Sequence, residues 1–322
     1  MSETKGEGMI YILILLGFIM LIYGGNILVD GAVAVAKRMK VSPLLIGLTL
    51  VGFGTSTPEL MTSLFAAAMN AEGIAVGNVI GSNIANILLV LGVAAILSAI
   101  PVNKASFKRD SSFLALSTGV LVFALLWGKI GFILGALMCS TLGYYVYYSY
   151  KTEKKHLTPE EKEVIQSQHK KNDHHELGLA IAKTIVGMIL TVAGARVLVT
   201  NSVVLAERLG VSETIIGLTL VALGTSLPEL ATSIIASLKK QSALALGNVI
   251  GSNIYNALFI LGVTALFVPV QVPSNVAWDV VIMIAVTGLL VLLGNRGKLT
   301  KRTGLLFLAL YVLYVGYLMY KA

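Results

Sequence analysis

Glu59 and Glu229 are carboxylates in places where carboxylates are costly. Each follows a proline inside an apolar stretch, in the segments GTSTPE (54–59) and GTSLPE (224–229). An ionisable side chain in a segment of this kind marks a functional site by default. On a helix, residues three and four apart share a face, so Thr55 and Ser56 stand beside Glu59, and Thr225 and Ser226 beside Glu229. Pro58 and Pro228 have no N–H, so the carbonyls of Gly54 and Gly224 lose their helical partners and the helix bends there. Freed carbonyls inside a membrane are tolerated where they line an enclosed cavity or coordinate an ion.

Further along, Asn78, Ser82 and Asn86, and equally Asn248, Ser252 and Asn256, recur at i, i+4 and i+8, which makes one polar stripe per helix. Close helix packing accounts for the small-xxx-small pairs Gly77/Gly81 and Gly247/Gly251. It does not account for the asparagines. The pooled inventory is carboxylate, hydroxyl, amide and carbonyl oxygen, with no thiol or imidazole. Such a set suits hard cations, and Ca2+ takes about 6–8 oxygens in flexible geometry. Two carboxylates neutralise one Ca2+. They can also be shared by Na+ ions or neutralised by protons, so competition for one set of oxygens would couple the ions.

The segments that carry these residues, 41–92 and 211–262, are copies of one another at a constant offset of 170 residues, which takes Glu59 to Glu229, Asn78 to Asn248 and Asn86 to Asn256. They form an internal repeat. The chain has 322 residues, is 56% hydrophobic and 12% charged, and has a mean hydropathy of +0.86. This is the composition of an integral membrane protein and not of a soluble globule. The first apolar segment lacks the basic n-region and small-residue cleavage site of a signal peptide, so it is read as a span. The one cysteine, Cys139, permits no disulfide within the chain.

Apolar runs fall near 9–38, 42–69, 73–100, 111–128, 130–150, 178–208, 212–238, 242–268, 276–294 and 302–320, which predicts ten membrane-spanning helices in an all-α protein. One set of loops carries Lys5, Lys129, Arg208 and Lys321. The other carries the remaining eighteen loop lysines and arginines, with Lys183 and Arg196 inside the sixth span. The basic side is therefore expected to be cytoplasmic and both termini outside. Topology accounts for the net charge of +8, so nucleic acid is not needed as a partner. Five spans per repeat is an odd number, so the halves 1–150 and 178–322 are expected to be inverted, an architecture of secondary transporters. The linker 151–177 holds all four histidines (His156, His169, His174 and His175), read as solvated, and a capped surface helix is expected to start at Thr158.

The doubled GTSTPE and GTSLPE, each followed by GNVIGSN and an asparagine, resembles the two α-repeats of the calcium/cation antiporter superfamily, in its prokaryotic sodium/calcium exchanger branch. The resemblance implies Na+-driven Ca2+ exchange across the cell membrane by alternating access, with the first and sixth spans sliding past the second, third, seventh and eighth. It implies no enzyme activity, no cofactor and no obligate protein partner beyond the bilayer and the transported ions. It places the ion ligands on Thr55, Ser56, Glu59, Ser82, Asn86, Thr225, Ser226, Glu229, Ser252 and Asn256. Several relatives carry an aspartate where this chain has Asn256, so K+ is not expected to be required. H+/Ca2+ exchange is the alternative within this class. An intramembrane hydrolase using the two glutamates as acid and base, or a cation channel, are the readings outside it. Asp30 and Arg196, the other deep charges, lie at similar depth in spans one and six, and are expected to pair there.

Overall fold

The longest apolar runs give the longest helices. In the computed structural model, which describes residues 2–156, 173–209, 222–273 and 276–321, these are α1 (Ser2–Met39) and α9 (Asp173–Arg208). They lie antiparallel along a glycine seam in which Gly17 meets Leu198, Gly24 meets Thr191, Leu21 meets Gly194 and Leu28 meets Gly187. The glycines let the two backbones touch: a Cβ at Gly24 would lie 2.5 Å from the Thr191 nitrogen. Arg38 closes one end of the seam with an ion pair to Glu176.

After α1 the chain enters a broken helix. Ser42 caps α2 (Pro43–Ile46) by accepting from the Leu45 N–H at 3.2 Å. A π-helical turn (Gly47–Val51) and α3 (Gly52–Thr55) follow, and then α4 (Thr57–Ala68), bent by 41° from the preceding segment. The bend falls at Ser56, and Pro58 sits in the first turn of α4, where a missing N–H costs nothing. In the second half the corresponding pieces are α10 (Ala222–Gly224) and α11 (Leu227–Leu238), with Pro228 in the same place.

The next helices form the centre of the molecule: α5 (Glu72–Ala85) continuing through a π-turn (Asn86–Val90) into α6 (Leu91–Leu97), and α12 (Ser242–Tyr255) continuing through a π-turn (Asn256–Ile260) into α13 (Leu261–Phe267). Their most apolar stretches are 78% and 83% buried, against 33% and 28% in α1 and α9. The former are core and the latter an outer layer. The outer layer has a small hydrophobic cluster of its own, Leu21, Ala195 and Leu198, packed against Leu227 and Ala231 of α11.

The remaining helices are α7 (Lys104–Leu126), α8 (Phe132–His156), α14 (Ala277–Gly294) and α15 (Lys301–Lys321). Two short antiparallel ribbons join loops of one half to loops of the other: β1 (Ile100–Pro101) with β4 (Lys298–Leu299), and β2 (Lys129–Ile130) with β3 (Val270–Gln271). Alternating hydrophobicity cannot announce a two-residue strand, and the sequence reading has none.

Seven of the described helices are long and apolar enough to cross a bilayer, and the bent segment Pro43–Ala68 makes an eighth if it counts as one span. The expected span near 130–150 is helical within α8, whose tyrosines leave it less apolar than those seven. Of the expected span 212–238, residues 212–221 lie outside the described residues. So do the helix expected at Thr158 and the side chains of the four histidines.

The expected Asp30–Arg196 pair does not form. Asp30 Oδ1 accepts instead from Lys239 Nζ at 2.7 Å. Register is the reason. Arg196 falls between Thr191 and Leu198, opposite the segment from Gly24 to Gly17, which places it at least six residues from Asp30 along the seam. Six residues of helix is about 9 Å. The separation runs along the helix axes, so the expectation of similar depth fails together with the pair.

Candidate cation site

The broken helices and the central helices bring the ten expected ligands into one buried region between the two halves. Thr55, Ser56, Glu59, Ser82, Asn86, Ser226, Glu229, Ser252 and Asn256 are all buried, and both glutamates are 0% exposed. Thr225 is partly exposed.

The halves interlock at this point. Thr55 donates to Asn248 Oδ1 at 3.2 Å, and Ser56 donates to Glu229 Oε1 at 3.4 Å. Hydroxyls that neighbour one carboxylate in sequence therefore hold the carboxylate and amide of the other half. Asn248 can accept from Thr55 because its amide group is turned the other way, donating to the Glu229 carbonyl at 3.4 Å and to Ser233 Oγ at 3.1 Å. Asn78 makes the equivalent pair, to the Glu59 carbonyl at 3.1 Å and to Ser63 Oγ at 3.0 Å. The first asparagine of each polar stripe is thus a brace that fixes the glutamate-bearing helix to its neighbour. Ser63 and Ser233 complete the brace, and the sequence reading passed over them. Their signal was present: each lies four residues after a glutamate, and they match at the repeat offset.

Asn86 and Asn256 each open a π-helical turn. Such a turn widens the helix by one residue, and single-turn π segments occur often at functional sites. It changes which way the following backbone faces, and neither turn has a marker in the sequence.

The electrostatic condition of the region is unusual. Both Glu59 carboxylate oxygens, Oε2 of Glu229, both amide atoms of Asn86 and of Asn256, and the hydroxyls of Ser226 and Ser252 are buried without a hydrogen-bond partner. Each buried polar atom left in this condition costs about 1–3 kcal/mol, and more for a charged group. Native proteins tolerate few of them, and the glutamate and asparagine atoms among these fall at matching positions in both halves. A hard cation taking its ligands from these oxygens would offset the cost, and the donor chemistry fits one. Among the described residues no three His, Cys, Asp or Glu side chains converge, and the region offers two carboxylates and neutral oxygens.

Two cavities lead to the region. One, of about 420 Å³, is lined by Thr62, Asn78, Gly81, Ser82 and Thr225, and by Tyr314. The other, of about 380 Å³, lies between α9 and the bent segments and is lined by Pro58, Thr62, Arg196, Thr200, Thr225 and Pro228. Thr62 and Thr225 border both.

Known proteins resemble this chain in sequence and fold over most of its length. The profile of a family described as sodium/calcium exchanger protein matches residues 9–151 and again residues 179–320. The sodium/calcium exchanger MaX1 of Methanosarcina acetivorans is 34% identical over 347 residues, covering 96% of this chain and 98% of that protein. An uncharacterized membrane protein of Methanocaldococcus jannaschii, MJ0091, is 37% identical over 304 residues, covering 94% and 95%. Among solved structures, one of the sodium-calcium exchanger NCX_Mj soaked with Na+ and Sr2+ matches with a TM-score of 0.82 at 33% identity, over 94% of this chain and 96% of that one.

Proposed function

Starting from the fact that the chain belongs to the sodium/calcium exchanger protein family, a family of multi-pass membrane transporters, we propose that it exchanges Na+ for Ca2+ across the cell membrane by alternating access, extruding Ca2+ without a need for K+. The observation that carries this reading is the shared site. Ser56 of one half bonds to Glu229 of the other at 3.4 Å, and further carboxylate oxygens beside it are buried without partners. One set of oxygens serving both ions couples them by competition, with no distant allosteric link. In this reading Thr55, Ser56, Glu59, Ser82 and Asn86, with Thr225, Ser226, Glu229, Ser252 and Asn256, supply the transient ligands for the transported ions.

The proposal includes ten spans in two inverted five-helix repeats with both termini outside. The antiparallel packing of α1 on α9 supports the inversion. The cross-half ribbons support it too, because the repeat offset carries β1 onto β3 and, within one residue, β2 onto β4, so one ribbon is converted into the other. The outer layer of α1 and α9, with its own small cluster against α11, is the part that moves relative to the core.

Purified protein in Na+-loaded liposomes, diluted into Na+-free medium containing tracer Ca2+, tests the reading. Uptake is expected only with the outward Na+ gradient, and K+ is not required. Equal uptake without that gradient, or uptake driven by a pH gradient alone, overturns Na+ coupling and favours H+/Ca2+ exchange or a channel.

A further inference from the structure

The contact between the outer layer and the core differs at the two ends of the molecule. At one end Lys239, which follows the last residue of α11, donates to Asp30 Oδ1 at 2.7 Å and to the Asn26 carbonyl at 3.3 Å, both on α1. A little deeper, Gly25 lets α1 sit directly on Ile235 of α11. This is the end carrying the basic loops, Lys37 and Arg38 among them, and proposed above as cytoplasmic.

The repeat allows the opposite end to be examined position by position. The offset of 170 that relates the motifs continues into α1 and α9, where Gly17 and Gly24 match Gly187 and Gly194 and make equivalent contacts. At that offset Lys239 corresponds to Met69, Asp30 to Thr200 and Asn26 to Arg196. A methionine, a threonine and an arginine at these positions cannot form this ion pair. The structure at that end differs accordingly: in place of a closed contact there is the cavity of about 380 Å³, with Met61 and Phe65 of α4 on one side and Arg196 and Thr200 of α9 on the other.

We infer that the Asp30–Lys239 pair is a one-sided clamp, holding the α1–α9 layer shut against α11 at the basic end and biasing the protein toward the conformation open at the opposite end. In two symmetric halves the two conformations would be equally stable by construction. A charged contact that the matching positions at the other end cannot make removes that equivalence. Because Asp30 keeps 50% and Lys239 31% of its side chain exposed, the bias is modest: pairs of this kind shift an equilibrium by about two- to five-fold. That is enough to favour one state and too little to lock it, as a transporter that must visit both requires.

The inference rests on the alternating-access reading, and its test does not depend on transport. In a Cys139→Ser background, spin labels at Met39→Cys on α1 and Ala105→Cys on α7 report the distance across the basic end by pulsed electron resonance in nanodiscs. The full chain is expected to show a dominant short distance. Asp30→Asn and Lys239→Gln should each enlarge the long-distance population about two- to five-fold, and the exchanged pair Asp30→Lys with Lys239→Asp should return it toward the original. Unchanged distributions in both single variants, or an exchanged pair no different from them, overturn the clamp. Tracer Ca2+ uptake by the same preparations reports separately on the exchange reading, so loss of Na+ coupling with the distance shifts intact would refute that reading alone.

Discussion

GTSTPE and GTSLPE are nearly the same six letters, yet their hydroxyls do different things. Thr55 and Ser56 are buried and bonded across to the second half, at 3.2 and 3.4 Å. Thr225 borders two cavities instead, and Ser226 is buried with its hydroxyl unpartnered. The asymmetry extends to the helices behind them. Asn248 is 0% exposed, with Gly247 and Gly251 pressed against Leu44 and Leu48, while Asn78 and Gly81 line the cavity of about 420 Å³. Thr232 is fully buried and its counterpart Thr62 is on both cavities. Two copies of one sequence can supply an identical set of ligands, but when they close around a common site from opposite directions, access from one side requires one copy to be sealed and the other open. Composition is a property of each half; contact is a property of the conformation.

The largest effect expected is one in which the halves behave alike. Glu59→Gln and Glu229→Gln each remove one of two negative charges from a fully buried site, leaving a divalent cation half-compensated. Losses of about 3–5 kcal/mol are typical when one partner of a buried charge pair is removed, so each variant should reduce Na+-driven Ca2+ uptake by at least about 100-fold while still inserting as a monodisperse protein. Near-normal uptake in either one would mean that the carboxylates are not shared.

Packing should separate the halves. A Cβ at Gly251 would come within 2.7 Å of the Leu48 Cα, so Gly251→Ala is expected to destabilise by about 1–3 kcal/mol. Gly81→Ala points toward a cavity and should cost less than about 0.5 kcal/mol. Apparent melting temperatures in detergent compare the two, and equal losses would contradict the sealed-versus-open description. A smaller difference is expected for the hydroxyls. Thr55→Val leaves Asn248 Oδ1 buried without its donor, for about 1 kcal/mol of stability. Thr225→Val should leave the melting temperature nearly unchanged and raise the Ca2+ concentration for half-maximal uptake. If Thr225→Val is the more destabilising of the two, the assignment of the open half is reversed.

Much of this was legible before any coordinates. The repeat, the membrane class, the near-complete helicity and the two buried carboxylates follow from spacing and from the cost of charge in apolar surroundings, which operate locally, whereas the full set of ten candidate ligands is what the family resemblance implies. The features that were not legible depend on what lies opposite. Asp30 offers a carboxylate, but whether it meets Arg196 or Lys239 is decided by the glycine seam of α1 and α9, whose register no local pattern reports. The π-turns at Asn86 and Asn256 and the two-residue ribbons are likewise set by packing between halves. Ser63 and Ser233 are the exception, since their recurrence four residues after each glutamate was visible and a buried hydroxyl requires a partner.

The most direct measurement is equilibrium Ca2+ binding to the purified protein, titrated at increasing Na+ in the wild type and in Glu59→Gln and Glu229→Gln. A single oxygen cage shared by both ions and both halves predicts Ca2+ binding that Na+ displaces competitively and that either substitution alone abolishes. Ca2+ binding indifferent to Na+, or retained at wild-type affinity in either variant, would contradict it.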